Sequence, residues 1–250
     1  MSDARAGLVG RDAELAALRA FLDSARNDGA ALLLTGDPGV GKTALLDAAV
    51  DTSRAAGMRV IRGSGIEFES ELGFAVLHQL VLPLAAELGR LPESQRAALD
   101  VALGLEDGSA PSQIAVLNAA LALFAEAAAD DPLLLVIDDL HVVDQPSIAA
   151  IGFIARRVHG RRIGVLAARR SGPDGAFRPT GVAELDVAPL TDADSLRLLA
   201  RSFAHLPRRV LSSVADDAQG NPLALLEFAG TTGASGDRAS RIRRPGPGRT

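Results

Sequence analysis

The feature that most constrains the fold is a glycine-rich loop between an apolar run and a helical pattern. Residues 30–34 are all apolar, and residues 35–43 read TGDPGVGKT. The stretch 36–43 fits the pattern G-x-x-x-x-G-K-[ST], which is typical of a loop whose backbone N–H groups surround phosphate oxygens. This loop requires a strand before it and a helix after it, so the sequence predicts a strand–loop–helix unit here.

Lysine usage singles out one position of this loop. Of the 26 basic residues 25 are arginine, and Lys42 is the only lysine. A compact ammonium on a flexible stem suits such a position better than a planar guanidinium. We expect Lys42 to reach the β- and γ-phosphates of a nucleotide and the Thr43 hydroxyl to ligate Mg²⁺.

A second apolar run, residues 133–137, ends in two acids, Asp138 and Asp139. It predicts a buried strand whose carboxyl end lies beside the loop after the first strand. We expect Asp138 to hold Mg²⁺ and Asp139 to orient or activate the attacking water. The alternative for Asp139 is a helix cap or a solvated acid.

Short apolar runs alternate with helical patterns from residue 30 to about 190, which predicts an α/β fold with a parallel sheet between helix layers. The predicted strands are apolar on both faces, as buried parallel strands are; they are 31–35, 58–62, 133–137, 163–168 and 182–187. The predicted helices are 42–56, 74–89, 93–103, 111–129 and 145–158.

Only helical patterns follow Pro189, at 195–205, 208–219 and 223–229, which predicts a small helical lid. The expected organisation is a core over 1–188, a lid over 189–229 and a disordered basic tail over 230–250. Residues 231–250 carry a net charge of +4 and the rest of the chain carries −9. An acidic body is a poor non-specific nucleic-acid binder, and we expect no nucleic-acid partner through it.

Composition excludes several classes of site and location. The chain has no cysteine, and its four histidines are scattered, so no disulfide, thiolate site or local histidine metal motif is expected. We find no signal-peptide pattern and no uninterrupted apolar run of the roughly 18 residues that span a bilayer. We therefore expect a cytoplasmic protein without membrane contact.

Several segments together resemble a known family. They are LVGRDAEL (8–15), GDPGVGKT (36–43), ELGFAVLHQL (71–80), LLLVIDDLHVVDQPS (133–147), VLAARRSGP (165–173) and GNPLALLE (220–227). Their order is similar to that in signal-transduction ATPases with numerous domains (STAND), an AAA-like class. The strongest resemblance is to the nucleotide-binding module of large bacterial LuxR-type, MalT-like transcriptional regulators, over about residues 7–229.

The resemblance implies a P-loop NTPase fold that binds ATP or ADP with Mg²⁺. It implies that Gly10 and Arg11 line the adenine end of the pocket, for which a helix-entry turn is the alternative. It also implies that Arg170 is a sensor arginine, with the adjacent Arg169 as its rival. Pro222 is implied to contact the nucleotide from the lid, although a helix break would explain it nearly as well. The full set expected to bind nucleotide is Gly10, Arg11, Gly36, Asp37, Pro38, Gly39, Val40, Gly41, Lys42, Thr43, Ala44 and Pro222, and the expected catalytic set is Lys42, Asp138, Asp139 and Arg170.

The chain departs from this family in two respects. Val142 and Val143 stand where the family commonly has an aromatic residue. The regulators continue beyond the lid into sensor and DNA-binding domains, so we expect this chain to be an isolated or truncated module.

Three functions are compatible with these patterns. The first is a switch ATPase that hydrolyses ATP slowly and signals to a protein partner or to the missing regulator domains. The second is an oligomeric AAA+ ATPase with an arginine finger from Arg156, Arg157, Arg161 or Arg162, and the third is an inert nucleotide-binding scaffold. A small-molecule kinase is least favoured, since no second substrate pocket is evident.

Overall fold

A computed structural model describes residues 8–69, 73–172 and 181–242. The chain forms two compact units. The sheet unit contains Asp12–Asp37 and Lys42–Val187, and the helical unit contains Leu8–Arg11, Pro38–Gly41 and the chain from Ala188 onward. The assignment of Leu8–Arg11 and Pro38–Gly41 to the helical unit was not predicted, and the division into a core over 1–188 and a lid over 189–229 stays a prediction.

The sheet unit is built on five parallel strands in the order β2-β3-β4-β1-β5. Each strand lies within two residues of its predicted ends, because short runs of Leu, Val and Ile favour buried strands. β4 lies between β1 and β3, so the acidic strand and the loop strand are not neighbours. The strands are β1 Ala30–Gly36, β2 Arg59–Ser64, β3 Leu133–Asp138, β4 Ile163–Arg170 and β5 Ala183–Asp186.

Helices cover the sheet in two layers, which confirms the predicted α/β architecture. α1 and α2 pack against each other and against β1 and β4, while α5 contacts β3, β4 and α6, and α3 contacts β2 and α6. The helices of this unit are α1 Asp12–Asn27, α2 Lys42–Ala55, α3 Ala75–Val81, α4 Glu93–Ala102, α5 Gln113–Asp130 and α6 Gln145–Ala155.

The predicted helix 74–89 is wrong in length. α3 ends at Val81, and two short 3₁₀ turns, Leu82–Leu84 and Glu87–Arg90, replace its second half. Pro83 lies at the break, where its missing N–H and its ring are incompatible with an α-helix interior.

α5 is the central helix of the layer on its side of the sheet. Its Leu123 and Phe124 are fully buried.

By length and composition α5 is apolar enough to cross a membrane, with a mean hydropathy of 1.3 and half of its residues buried. The same length and hydropathy occur in core helices of water-soluble proteins.

The helical unit packs three helices around its own core, α7 Asp192–Ser202, α8 Arg208–Ala218 and α9 Pro222–Ile242. Leu199, Leu225 and Ala229 are fully buried there. α9 continues through residues 230–242, where a disordered tail was predicted. No proline occurs between Pro222 and Pro245 to interrupt it. Residues 243–250 of the predicted tail lie outside the described residues.

Candidate nucleotide-binding site

Lys42 lies at the start of α2, immediately after the glycine-rich loop. Its side chain is 8% exposed, and its Nζ donates to the carbonyl oxygens of Gly36 at 2.8 Å and Asp37 at 2.9 Å. Burial lowers the pKa of the Lys42 ammonium, and this outweighs the opposing effect of the Asp138 and Asp139 carboxylates. Anionic phosphate near this ammonium would favour its charged form.

Thr43, in the first turn of α2, and Asp138, at the end of β3, lie in contact although β1 and β3 are not adjacent. The Thr43 hydroxyl donates to Oδ2 of Asp138 at 2.8 Å, and the backbone N–H of Asp139 donates to Oδ1 of the same carboxylate at 2.9 Å. Both oxygens of Asp138 are therefore held, so its orientation is fixed. Asp139 adopts a left-handed backbone with φ 50°, and its side chain is 52% exposed.

His141 is a member of this cluster that sequence analysis did not assign a role. Its Nδ1 lies 3.8 Å from Oδ1 of Asp139, and its side chain is 26% exposed. Burial lowers the pKa of His141, and the positive charges of Arg170 and Lys42 add to this effect against that of Asp139. In the sequence, only the position of His141 two residues after the acidic pair indicated that it lies at the site.

Arg169 and Arg170 end β4 and, as neighbours on a strand, point to opposite faces of the sheet. Arg170 is exposed, and its charge acts on both Lys42 and His141. Arg169 is 7% exposed, and no atom of the described residues accepts a hydrogen bond from its Nε or Nη1. Arg170 lies near the cluster of Lys42 and His141, whereas Arg169 has buried donors that a ligand could accept from. Either could contact the terminal phosphate, and the choice of Arg170 stays a prediction.

The predicted residues outside the sheet unit lie together in the helical unit. Arg11 is 4% exposed, and its guanidinium donates to the carbonyl oxygens of Val40 at 2.8 Å and Ala188 at 2.7 Å. Gly10 packs against the Asp194 side chain. Pro222 is the first residue of α9. The guanidinium of Arg11 thus bonds to the backbone of the phosphate loop, whereas its predicted contact with adenine stays a prediction.

The remaining loop residues differ in exposure. Asp37 and Pro38 are exposed, Val40 is buried, and the side chain of Ala44 is exposed in the first turn of α2. At Gly41, with φ 107°, a Cβ would meet no atom within 4 Å. The loop therefore has open space beside its backbone, where an anion can approach the N–H groups.

The chemistry of these residues fits a nucleotide with Mg²⁺. A hydroxyl and a carboxylate are hard oxygen ligands, and Mg²⁺ is usually bound by one or two such groups together with phosphate and water. Within the described ranges no cluster of three or more histidine, aspartate or glutamate side chains could hold a metal alone. A site built only on Thr43 and Asp138 therefore depends on phosphate for its other ligands.

Asp144 and Ser147 were also missed by sequence analysis. Asp144 is 2% exposed, caps α6 by accepting from Ser147 N at 2.8 Å, and accepts from the backbone N–H of Phe74 at 2.9 Å. Ser147 Oγ accepts from Leu77 N at 2.9 Å. These bonds fix the segment that follows the acidic pair against the first turn of α3. The sequence signal was an aspartate two residues before Pro146, which is a common start of a helix.

Comparison with known proteins identifies the fold. A DNA replication initiation factor has a TM-score of 0.55 and 14% identity, over 90% of this chain and 60% of its own. A signal-transduction ATPase with numerous domains and a tetratricopeptide repeat sensor, from Pyrococcus horikoshii, has a TM-score of 0.52 and 17% identity, over 88% of this chain and 29% of its own. AMPPCP-bound DnaA from Aquifex aeolicus has a TM-score of 0.52 and 15% identity, over 94% of this chain and 66% of its own.

At these identities the solved structures show a shared fold only, and the chain spans less than two thirds of the first two. No curated protein matches the chain. The family model of the AAA ATPase domain matches residues 7–166, which include the phosphate loop and the acidic end of β3. This region is more than half of the sequence, and the chain therefore belongs to the AAA ATPase domain family.

Proposed function

We propose that this AAA ATPase domain is a nucleotide switch of a signal-transduction or transcriptional regulator, which binds ATP and Mg²⁺ and hydrolyses ATP slowly in the cytoplasm. The observation that supports a switch is the division of the phosphate loop. Gly36, Asp37, Lys42 and Thr43 belong to the sheet unit, whereas Pro38–Gly41 belong to the helical unit. The loop is one continuous stretch of chain, so a change in its conformation on exchange of nucleotide can be passed to the helical unit.

The residues of the sheet unit have distinct roles in the proposed hydrolysis. Lys42 neutralises phosphate charge, and Thr43 and Asp138 supply the oxygen ligands for Mg²⁺, which would neutralise charge that develops on the phosphates. Asp139 orients the attacking water from the exposed end of β3. Arg170 stabilises charge on the terminal phosphate, and Arg169 is the alternative for this role.

The carboxylate of Asp139 is one methylene shorter than that of a glutamate, which is consistent with slow turnover. A slow reaction suits a switch, because the ATP-bound state must last long enough to be read by a protein partner or by further domains of a regulator. The DNA-binding and sensor domains of MalT-like regulators are the partners that the sequence resemblance favours.

An oligomeric AAA+ ATPase is the second candidate, and the exposed arginines after α6 are the observation that favours it. Arg157 lies over the Phe153 ring, Arg161 donates to the carbonyl of Arg157, and Arg162 donates to the carbonyl of Ala128, so these three are used within the chain. Arg156 is exposed and makes no contact of this kind with the described residues. It is therefore the arginine most available to a neighbouring subunit.

Hydrogen exchange of α7, α8 and α9 tests the switch. We expect different exchange rates in Mg-ATP and in Mg-ADP, with the Asp139→Asn variant used to keep ATP intact and the same variant in Mg-ADP as its control. Equal exchange in the two nucleotides would refute the switch. Sedimentation velocity on the same samples addresses the second candidate, which predicts rings in Mg-ATP that Arg156→Ala abolishes.

A further inference from the structure

Asn221, the residue before α9, uses both ends of its side-chain amide. Its Oδ1 accepts from the backbone N–H groups of Leu223 at 3.1 Å and Ala224 at 3.3 Å, which is the geometry of a helix N-cap. Its Nδ2 donates to the carbonyl oxygen of Pro38 at 2.8 Å. Pro38 opens the tip of the phosphate loop, so Asn221 joins that tip to the first turn of α9 inside the helical unit.

The next carbonyl of the loop is also held by this turn. The N–H of Leu223 donates to the carbonyl oxygen of Gly39 at 3.2 Å. Gly39 has φ 77°, and a Cβ on it would lie 2.8 Å from Asn221 Oδ1 and 2.9 Å from Leu223 Cβ. Only glycine fits here, because the loop backbone lies directly against the start of α9.

Arg11 holds the third carbonyl in the row, that of Val40, at 2.8 Å. Three consecutive carbonyls of the loop, those of Pro38, Gly39 and Val40, are thus fixed by donors of the helical unit. In a planar trans peptide the carbonyl and the following N–H point in opposite directions. The N–H groups of Gly39, Val40 and Gly41 are therefore directed away from these donors, and no described residue accepts a hydrogen bond from them.

We propose that Asn221 is a positioning residue of the phosphate loop, which aims the loop N–H groups by holding the Pro38 carbonyl and so makes nucleotide affinity depend on the first turn of α9. This inference rests on the proposed function, since it names the contact through which the helical unit and the nucleotide affect each other. Binding of nucleotide and formation of this turn then favour one another, because linkage between two equilibria is reciprocal.

Substitutions of Asn221 can separate the cap from the contact with the loop. Asn221→Ser keeps an uncharged cap acceptor but is too short to donate to Pro38, and Asn221→Ala removes both functions. Ser112→Ala, which removes the side-chain cap of α5 in the sheet unit, is the control for loss of a cap alone.

The test combines calorimetric titration of Mg-ADP with ¹⁵N relaxation of the Gly39, Val40 and Gly41 amides in the nucleotide-free chain. We expect Asn221→Ser to raise Kd roughly 3- to 10-fold, the effect of one lost hydrogen bond. We also expect it to increase the mobility of the three amides, with a fall in the thermal unfolding midpoint no larger than that caused by Ser112→Ala. Ser112→Ala should leave Kd and loop mobility unchanged.

Unchanged loop mobility in Asn221→Ser would overturn the inference whether or not nucleotide binds. Unchanged Kd in that variant, with a wild-type chain that binds, would also overturn it and leave the proposed function intact. A wild-type chain that fails to bind Mg-ADP would refute the proposed function, and the relaxation data would still decide the role of Asn221.

Discussion

The hydroxyl of Thr43 donates a 2.8 Å hydrogen bond to Oδ2 of Asp138. The two residues are 95 positions apart, and β4 separates β1, whose loop leads to Thr43, from β3, which ends at Asp138. The bond therefore joins the first turn of α2 to the end of β3 across the width of one strand. It places a hydroxyl and a carboxylate together at the carboxyl edge of the sheet, where the two groups could serve as oxygen ligands of Mg²⁺.

Removal of the Thr43 hydroxyl should weaken nucleotide binding chiefly when Mg²⁺ is present. We expect Thr43→Val to abolish most of the affinity that Mg²⁺ adds, because one of two protein oxygen ligands is lost. Thr43→Ser keeps the hydroxyl and should bind almost as the wild type does. The measurement is the Kd of ADP with Mg²⁺ and with EDTA, and an equal loss in both conditions would contradict the metal assignment.

Asp139→Asn should spare binding and slow turnover. The amide keeps the size of the side chain but cannot accept a proton from water, so a loss of roughly 100-fold or more in kcat is expected. Kd for Mg-ATP should change little, because Asp139 is half exposed and its carboxylate accepts no hydrogen bond from the described residues of the loop. Normal ATP hydrolysis by this variant would show that Asp139 is not the residue that activates water.

Arg170→Ala should raise the pKa of His141, because a positive charge near the imidazole disfavours its protonated form. Burial contributes more to the lowered pKa, so the value should stay below its ordinary one near 6.5. Arg169→Ala should leave the pKa of His141 unchanged. An NMR titration of His141 in both variants checks this, and equal effects of the two substitutions would contradict the placement of Arg170 beside the cluster.

The lowered pKa of His141 also gives a direction for stability. The unfolded chain takes up the proton at a higher pH than the folded chain, so the folded state loses stability as pH falls through about 6.5 and below. His141→Gln removes this contribution and should flatten the change in the free energy of unfolding between about pH 6.5 and 5. An identical pH profile for the variant would contradict the assignment.

Asp144→Ala should lower the free energy of unfolding by about 2–4 kcal/mol, since it leaves buried N–H groups of Phe74, Val76 and Ser147 without their acceptor. Asp107→Ala, at an exposed site in the loop after α4, is the matched control and should have little effect. Urea unfolding measures both. Equal stability of the two variants would mean that the Asp144 contacts do not hold α3 to α6.

Local patterns were sufficient to predict much of this fold. The apolar runs that became β1, β3 and β4 are bounded by charged, glycine, proline or threonine residues, so their ends were visible in the sequence. Two helices were predicted clearly too long: 145–158 runs three residues past the end of α6 at Ala155, and 74–89 runs eight past the end of α3 at Val81. The second contains Pro83, which cannot donate a backbone hydrogen bond inside an α-helix. The helix that extends past the predicted lid, α9, continues through glycines that lower helix propensity without forbidding a helix.

The nonlocal parts of the site were not predictable from single-sequence patterns. Strand order decides that β4 separates β1 from β3, and no run of residues encodes that order. The contact between Asn221 and Pro38 joins positions 183 residues apart. Arg169 and Arg170 are adjacent in sequence, and only the register of β4 shows that one is buried and the other exposed.

We expect this AAA ATPase domain to bind ATP through its phosphate loop and to hydrolyse it slowly. The most direct measurement is calorimetric titration of Mg-ATP and Mg-ADP into the folded chain, with phosphate release followed in the same sample and Lys42→Ala as the control. We expect both nucleotides to bind the wild type, roughly a few turnovers per minute or fewer, and no binding to Lys42→Ala. A folded wild-type chain that binds neither nucleotide would contradict the claim, and binding without phosphate release would identify an inert scaffold.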